Sequence, residues 1–88
     1  MSHSFLYALL LDIFPLTDEV LAGNVVLGDA IQRSAVDALL RSTAGEDPFP
    51  DLAKLRVLLA LSRDLGYASP EVVAVLDRSI ERAARAVA

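Results

Sequence analysis

The sequence predicts an all-α protein: a small bundle of four to five helices that ends in an antiparallel helical hairpin. Three observations lead to this fold class. Apolar residues recur every three or four positions along most of the chain, which is the helical spacing. Proline, glycine and helix-capping residues divide the chain into segments of helical length. No segment alternates apolar and polar residues long enough to require a strand, and no composition shift divides residues 1–88, so a single helical domain is expected.

The first helix is predicted over residues 5–14. Ser4 can cap its start, and Pro15 is expected to end it because the residue before a proline avoids the α region. Thr17 then becomes the cap of a short second helix, with acidic residues in its first turn where the helix dipole favours them.

Residues 17–42 allow two interpretations. In the first, Gly23 and Asn24 interrupt the second helix, residues 25–27 form an extended link, and a new helix starts at Asp29. In the second, one continuous helix covers the whole segment, since a single glycine weakens a helix without forbidding it. The sequence pattern leaves both interpretations open.

The helix from Asp29 to about Ser42 has distinct sides. Asp29 and Gln32 are spaced as in a capping box. Its apolar side carries Ile31, Ala35, Ala38 and Leu39. Another side carries Asp29, Arg33, Asp37 and Arg41. These four charges alternate in sign at intervals of four residues, so that neighbours along the helix attract each other.

The last two helices have the clearest boundaries. Asp51 opens the fourth helix directly after Pro50, and Gly66 supplies a left-handed stop. Ser69 caps the final helix, with Pro70 at its first position. The final helix has an apolar seam with the 3,4 spacing of a packed helix, formed by Val73, Leu76, Ile80, Ala83 and Val87. The short connection predicts an antiparallel hairpin.

The chain has more apolar sequence than a domain of this size usually holds. The apolar share is 55%, or about 57% when glycine is counted and tyrosine is not, against about 45–50% in ordinary globular domains. An 88-residue domain has room for one modest core. Part of the apolar surface is therefore expected to meet another chain.

The apolar surplus gathers on two helices. Residues of the fourth helix cover an arc of about 200° on a helical wheel, which exceeds the stripe of an ordinary surface helix. The first helix is apolar all round, with one stripe of Leu6, Leu10 and Ile13 and another of Tyr7, Leu11 and Phe14. Either this helix is the centre of the monomer's own bundle, or one stripe packs inside while the other docks on a partner. The predicted interface residues are Leu6, Tyr7, Leu10, Leu11, Phe14, Val57, Leu58, Leu61 and Leu65.

Charge argues against nucleic acid as the partner. The net charge is −4, with −5 on residues 1–50 and +1 on residues 51–88. Binding to phosphates requires a basic field. Three arginines of the last helix, at positions 78, 82 and 85, share one side, but Asp77 and Glu81 lie beside them, which is typical of a solvated, salt-bridged face.

Composition also limits the cellular setting. The chain has no cysteine, whereas small secreted domains usually need disulfides, so a cytoplasmic location is expected. No basic residue precedes the first apolar stretch, which argues against a signal peptide. That stretch is also too short to span a membrane.

Candidate catalytic residues are scarce. His3 is the only histidine, and it lies where a frayed terminus is expected. Acidic residues cluster only as the pairs 18–19 and 46–47, which suit a helix N-terminus and a solvated turn. No glycine-rich loop carries the lysine of a phosphate-binding motif. We therefore expect no metal, no cofactor, no small-molecule substrate and no catalytic residue.

One segment resembles an enzyme family. Residues 55–80 carry Leu-Arg at Leu55, the turn Gly-Tyr-Ala-Ser-Pro-Glu-Val-Val at Gly66, and Leu-Asp-Arg-Ser-Ile at Leu76. This pattern resembles the small two-helix aspartyl-phosphate phosphatases that regulate sporulation. The family's second helix has a Ser-Gln-x-Leu-Asp signature whose Asp is implicated in dephosphorylating a response regulator. The resemblance implies that role for Asp77, whereas valine and alanine at positions 73 and 74 replace the Ser and Gln.

The sequence therefore predicts a small non-enzymatic protein–protein interaction module. Its leucine-rich helix faces are expected to bind a second copy, most simply as a homodimer, or to dock on a larger protein as an adaptor, inhibitor or accessory subunit. The alternative is a regulator that acts as a phosphatase on a response regulator.

Overall fold

The computed structural model describes residues 4–87, which form four α-helices and no strand. The helices are α1 (Ser4–Gly23), α2 (Val25–Thr43), α3 (Phe49–Asp64) and α4 (Pro70–Val87). Helices α1 and α3 each pack against both α2 and α4. The four helices therefore occupy the corners of a bundle in chain order, with α1 diagonal to α3 and α2 diagonal to α4. The predicted all-α bundle is confirmed, with four helices.

Two side-chain hydrogen bonds join neighbouring helices. Gln32 Nε2 donates to Thr17 Oγ1 at 3.3 Å, close to the α1–α2 connection. Ser79 Oγ donates to Asp12 Oδ2 at 3.4 Å, which joins the middle of α1 to α4. Because every connection is short, the chain runs up and down through the bundle.

Pro15 does not end the first helix, so that prediction is wrong. It lies inside α1, which continues to Gly23. A proline inside a helix removes one backbone hydrogen bond and crowds the carbonyl four residues earlier, here that of Leu11. Pro15 and Leu11 are both exposed, so this carbonyl lies on the solvent side of α1. Apolar residues both before and after Pro15, such as Ile13 and Val20, are fully buried, and their packing keeps the helix continuous.

Thr17 is likewise not a helix cap. Its side chain is fully buried in the middle of α1, where its hydroxyl donates to the carbonyl of Ile13 and accepts from Gln32. A buried hydroxyl with both a donor and an acceptor partner satisfies its hydrogen-bonding capacity inside the protein. Thr17, which in the sequence suggests the start of a second helix, thus forms a polar contact between α1 and α2.

The interruption at Gly23 and Asn24 is confirmed, and the continuous helix over residues 17–42 is wrong. Asn24 is the single residue between α1 and α2, with extended backbone angles, and its Oδ1 accepts from the backbone N–H of Leu27 at 3.0 Å. The predicted extended link over residues 25–27 is also wrong, because α2 begins at Val25 rather than at Asp29. A side-chain cap at Asn24 stabilises the first turn directly.

The boundaries of α3 and α4 largely match the prediction. Gly66 follows α3 with φ of +84°, the left-handed conformation that glycine adopts readily. Ser69 Oγ accepts from the backbone N–H of Val72 at 3.2 Å, as a cap of α4 does. Helix α3 begins at Phe49, so Asp51 lies in its first turn and does not open it. The backbone N–H of Phe49 is instead bound by Asp47 Oδ1 at 2.9 Å.

The core runs along the centre of the bundle. Its largest fully buried side chains come from all four helices: Leu6, Leu9, Ile13, Val20, Ile31, Leu55, Leu59, Val73, Leu76 and Ile80. The whole predicted seam of the last helix is buried, which confirms that α4 packs along its length. No helix within residues 4–87 is both long and apolar enough to cross a membrane. His3 lies outside the described residues.

Candidate interaction surface

The high apolar content of the sequence changes which side chains are exposed, but not the total exposed area of the folded chain. The chain exposes 4923 Å², close to the roughly 5,000 Å² that its mass of 9.4 kDa predicts for a folded monomer. Within residues 4–87, thirteen large apolar side chains are nevertheless exposed. Their distribution over the bundle therefore decides where a partner can bind.

The first group lies on α1 and is called the α1 stripe: Tyr7, Leu10, Leu11 and Phe14. Tyr7 and Leu11 are 60% and 61% exposed, Phe14 is exposed, and Leu10 is half-buried against the core. Phe14 lines a concavity of about 220 Å³ with Val36 of α2, so the stripe lies on the side of α1 that faces α2.

Leu6 does not belong to this surface. It is fully buried in the core, with Ile13 on the same side of α1. Helix α1 lies at a corner of the bundle, so it has a core side and an outward side. Leu10, predicted in the same stripe as Leu6 and Ile13, is half-buried at the border between these two sides. A residue with no exposed area in the monomer cannot contact a partner unless the bundle opens.

The second group lies on α3 and is called the α3 stripe: Val57, Leu58, Leu61 and Leu65. Leu58 is half-buried, and the other three are exposed, with Leu65 immediately after the end of the helix. The opposite side of α3 carries Leu55 and Leu59, which are fully buried. The broad apolar arc of this helix thus divides into a core side and an outward side.

An apolar groove, called the α2–α3 groove, runs between these two helices. It has a volume of about 450 Å³. It is lined by Asn24, Val26, Leu27, Ala30, Leu58, Leu61 and Leu65. Six of the seven residues are apolar and none is charged. Because α2 lies between α1 and α3, the groove and the α1 stripe flank α2 on its two sides.

Sequence reasoning missed the contribution of α2 to this groove. Val26 is 81% exposed on the first turn of α2, a segment that was expected to be an extended link. The signal that could have found it is Asn24, whose side chain is a strong helix N-cap and predicts that helical residues follow at once.

Four charges run along the outward side of α2 and are called the charge ladder: Asp29, Arg33, Asp37 and Arg41. Arg33 Nε lies 2.7 Å from Asp29 Oδ2 in an exposed i,i+4 pair. Arg41 Nε lies 2.7 Å from an oxygen of Asp51, a carboxylate that is only 5% exposed. The Nε–H of Arg41 does not point at this carboxylate oxygen, so the contact is an ion pair without a hydrogen bond. Asp37 is exposed and has no ion pair or hydrogen bond with any residue from 4 to 87.

The outer side of α4 is polar and salt-bridged. Arg85 Nη2 lies 3.8 Å from Glu81, and Arg56 of α3 lies 3.5 Å from the same carboxylate. Glu81 and Arg85 are therefore paired within the protein. Exposed ion pairs of this kind contribute only about 0.2–1 kcal/mol each to stability. Arg78 and Arg82 of the same predicted face are exposed and make no ion pair or hydrogen bond with any residue from 4 to 87.

Asp77, the position singled out by the phosphatase resemblance, lies in this network. Arg56 Nε is 3.9 Å from its carboxylate, and Arg56 Nη2 donates to its backbone carbonyl at 3.4 Å. The side chain therefore faces a cation of the neighbouring helix. Its environment is that of a structural ion pair between α3 and α4.

The acidic pair 46–47 and two serines hold structural positions. Asp18 and Glu19 are exposed in the interior of α1, so the prediction that they lie at a helix N-terminus is wrong. At the α2–α3 connection, Glu46 lies 3.5 Å from Arg41, and Asp47 binds the start of α3. The buried hydroxyls of Ser34 and Ser62 donate to carbonyls one helical turn earlier. Among the residues that the structure describes, no three histidine, cysteine or acidic side chains come close enough to hold a metal ion.

No protein-family model matches the chain, and no curated protein and no solved structure is significantly similar to it.

Proposed function

We propose that this chain is a small non-enzymatic protein–protein interaction module. It assembles through the α1 stripe, the α2–α3 groove and the α3 stripe, with a second copy or with a larger protein that it serves as an adaptor, inhibitor or accessory subunit. The observation that carries the proposal is the α2–α3 groove, an open apolar concavity of about 450 Å³ without a charged lining residue. The lack of cysteine favours a reducing compartment, the cytoplasm, for this assembly.

The energetic reason is the cost of leaving these side chains in water. Burying a leucine or phenylalanine side chain completely contributes about 1.5–3 kcal/mol relative to exposure. A small domain has a total stability of only about 5–15 kcal/mol. Leu61, Leu65 and Val26 are 44%, 56% and 81% exposed, so covering them with another chain contributes about 3–5 kcal/mol in total before the cost of association.

The polar surroundings support one orientation of the interface. Charged residues at the rim of an interface steer association and fix its register more than they raise affinity. The charge ladder lies on α2 beside the groove, whereas the arginines of α4 lie on the diagonally opposite helix. The proposed interface is accordingly the side of the bundle centred on α2, and α4 faces solvent.

The test compares two matched substitutions. Leu61 in the groove and Val75 on α4 are 44% and 40% exposed, so each can be replaced by aspartate without emptying the core. We expect Leu61→Asp to convert the assembly into a folded monomer, because it places a charge in the apolar groove. We expect Val75→Asp to leave the assembly intact. The measurement is mass by light scattering, with far-UV circular dichroism as the check on folding.

Two results contradict assembly with a second copy. One is a wild-type protein that is monomeric at millimolar concentration with no effect of Leu61→Asp on its mass. The other is an equal loss of assembly in both variants, which would show that the α2-centred side is not the interface.

A further inference from the structure

We infer that the chain which covers this surface is a second copy of the protein, paired antiparallel along α2 about a two-fold axis at the level of Ala35. The inference deepens the proposed function and rests on it. Two independent observations carry it: the order of signs along the charge ladder, and the position of Leu40 relative to the α2–α3 groove.

The charge ladder is complementary to itself over its full length in only one antiparallel arrangement. With an axis at Ala35, Asp29 faces the partner's Arg41, and Arg33 faces the partner's Asp37. The two-fold axis repeats both contacts, so all four contacts of the ladder across the interface join opposite charges. A shift by one helical turn places Asp29 opposite the partner's Asp37 and brings two arginines together. A parallel pairing in register places each charge opposite its own copy. Like charges facing each other at an interface are strongly unfavourable.

Within the charge ladder, Asp37 is the one residue without an ion pair or hydrogen bond to any residue from 4 to 87. Asp29 is paired with Arg33, and Arg41 with Asp51, both at 2.7 Å. Asp37 has no such partner within residues 4–87, although it is separated from each arginine of the ladder by a single helical turn. The Arg33 side chain is 77% exposed, and its contact with Asp29 uses Nε, so its two Nη groups can reach across the interface. Pairing of Asp37 with the partner's Arg33 gives this carboxylate its counter-ion.

Leu40 supplies the apolar part of the same register. It is 59% exposed on the outward side of α2. An axis at Ala35 places it opposite the partner's Ala30, which lines the α2–α3 groove together with Leu58 and Leu61. The small Ala30 side chain leaves space above it, so a leucine entering there contacts the groove of the other copy. The two-fold axis repeats the contact, and both grooves are filled.

The position of the axis also gives a long overlap. Ala35 is close to the middle of α2, which spans Val25–Thr43. Nearly the whole helix, about 25 Å at 1.5 Å per residue, then lies against its copy. Helix α4 is diagonal to α2 and stays on the outside of the dimer.

The experiment exchanges charges between two variants. In a homodimer of Arg33→Glu, two glutamates face aspartates, and in a homodimer of Asp37→Arg, two arginines face arginines. We expect each variant alone to lose at least about tenfold in dimer affinity, as reversal of two charge pairs implies. In a one-to-one mixture, every contact at these positions again joins opposite charges. We expect the mixture to form a heterodimer with an affinity close to that of the wild type, measured by sedimentation equilibrium.

The controls separate this inference from the proposed function. Rescue on mixing must come from contacts between the two chains. Each variant carries its own substitution into the mixture, so any effect of that substitution within its own chain persists there. Arg82→Glu on α4 makes the same charge change as Arg33→Glu outside the interface, and it should leave the dimer unchanged. A wild-type dimer that Leu61→Asp dissociates, but whose variants show no loss alone or no rescue on mixing, overturns the antiparallel register and leaves the proposed function in place. A wild-type monomer at millimolar concentration overturns both this inference and the self-association form of the proposed function.

Discussion

Substitution of Gly28 by alanine tests the close approach of the first two helices. Gly28 is buried on α2, and a Cβ atom built on it would lie 2.4 Å from the Cα atom of Leu21 and 2.7 Å from its backbone nitrogen. Carbon atoms in ordinary contact are about 3.5–4.0 Å apart. Since the atoms in the way belong to the backbone of α1, no side-chain rotation relieves the clash, and the helices must separate by about 1 Å.

Two effects of opposite sign decide the magnitude. Alanine is favoured over glycine inside a helix by about 0.8–1.0 kcal/mol, so helix propensity alone predicts that Gly28→Ala stabilises the protein. Inserting atoms into a packed interior costs about 1–3 kcal/mol, and the upper part of this range applies where the obstacle is backbone. We expect a net loss of at least about 1 kcal/mol in the free energy of unfolding. For a domain of this size, that corresponds to a fall of about 4–8 °C in Tm.

The assay is urea unfolding followed by circular dichroism at 222 nm, at one fixed protein concentration for all variants. Val25→Ala is the control, because Val25 is exposed on the first turn of the same helix and alanine there changes propensity without a clash. A stability of Gly28→Ala equal to or above that of the wild type would refute the close packing of α1 on α2 at this position.

Two further substitutions test the ends and the continuity of the helices. Pro15→Ala should raise the free energy of unfolding by about 1–3 kcal/mol, because it restores a backbone hydrogen bond in the middle of α1 at an exposed position; an unchanged or lower stability would indicate that the helix does break there. Asn24→Ala should lower it by about 1 kcal/mol through loss of the cap on α2, whereas Asn24→Ser keeps an oxygen acceptor and should cost much less. Equal losses in the two Asn24 variants would contradict a capping role.

The sequence predicts the second half of the fold better than the first, for a physical reason. The start of α4 depends on Ser69 and Pro70, and the end of α3 on Gly66, each of which acts on backbone groups within one helical turn. Such signals are local, so they can be recognised in the sequence without knowledge of the rest of the molecule.

The first half depends on contacts between residues far apart in the chain. The local cost of Pro15 is outweighed by packing of α1 against α2, which no local pattern contains. Gly28 resembles a helix breaker in the sequence, yet it lies inside α2 and serves the close approach to Leu21. Thr17 resembles a cap, yet it bonds to Gln32 across the helix pair. These three residues act through tertiary structure.

The same distinction applies to the interaction surface. Periodicity identifies two apolar sides on α1 and α3 but not which side of each helix faces the core. The structure places Leu6 inside and Leu11 outside, although both belong to apolar stripes of the same helix. It also adds Val26 and Ala30 of α2, which join the surface only because α2 lies between α1 and α3.

The mass of the wild-type protein in solution tests the central claim most directly, because the proposed interface centred on α2 joins two copies of the chain. Sedimentation equilibrium from micromolar to millimolar protein measures this mass as a function of concentration. We expect it to rise to twice the chain mass of 9.4 kDa and to stop there, as a closed two-fold dimer requires. A mass that stays at that of one chain over the whole range would contradict self-association through this surface.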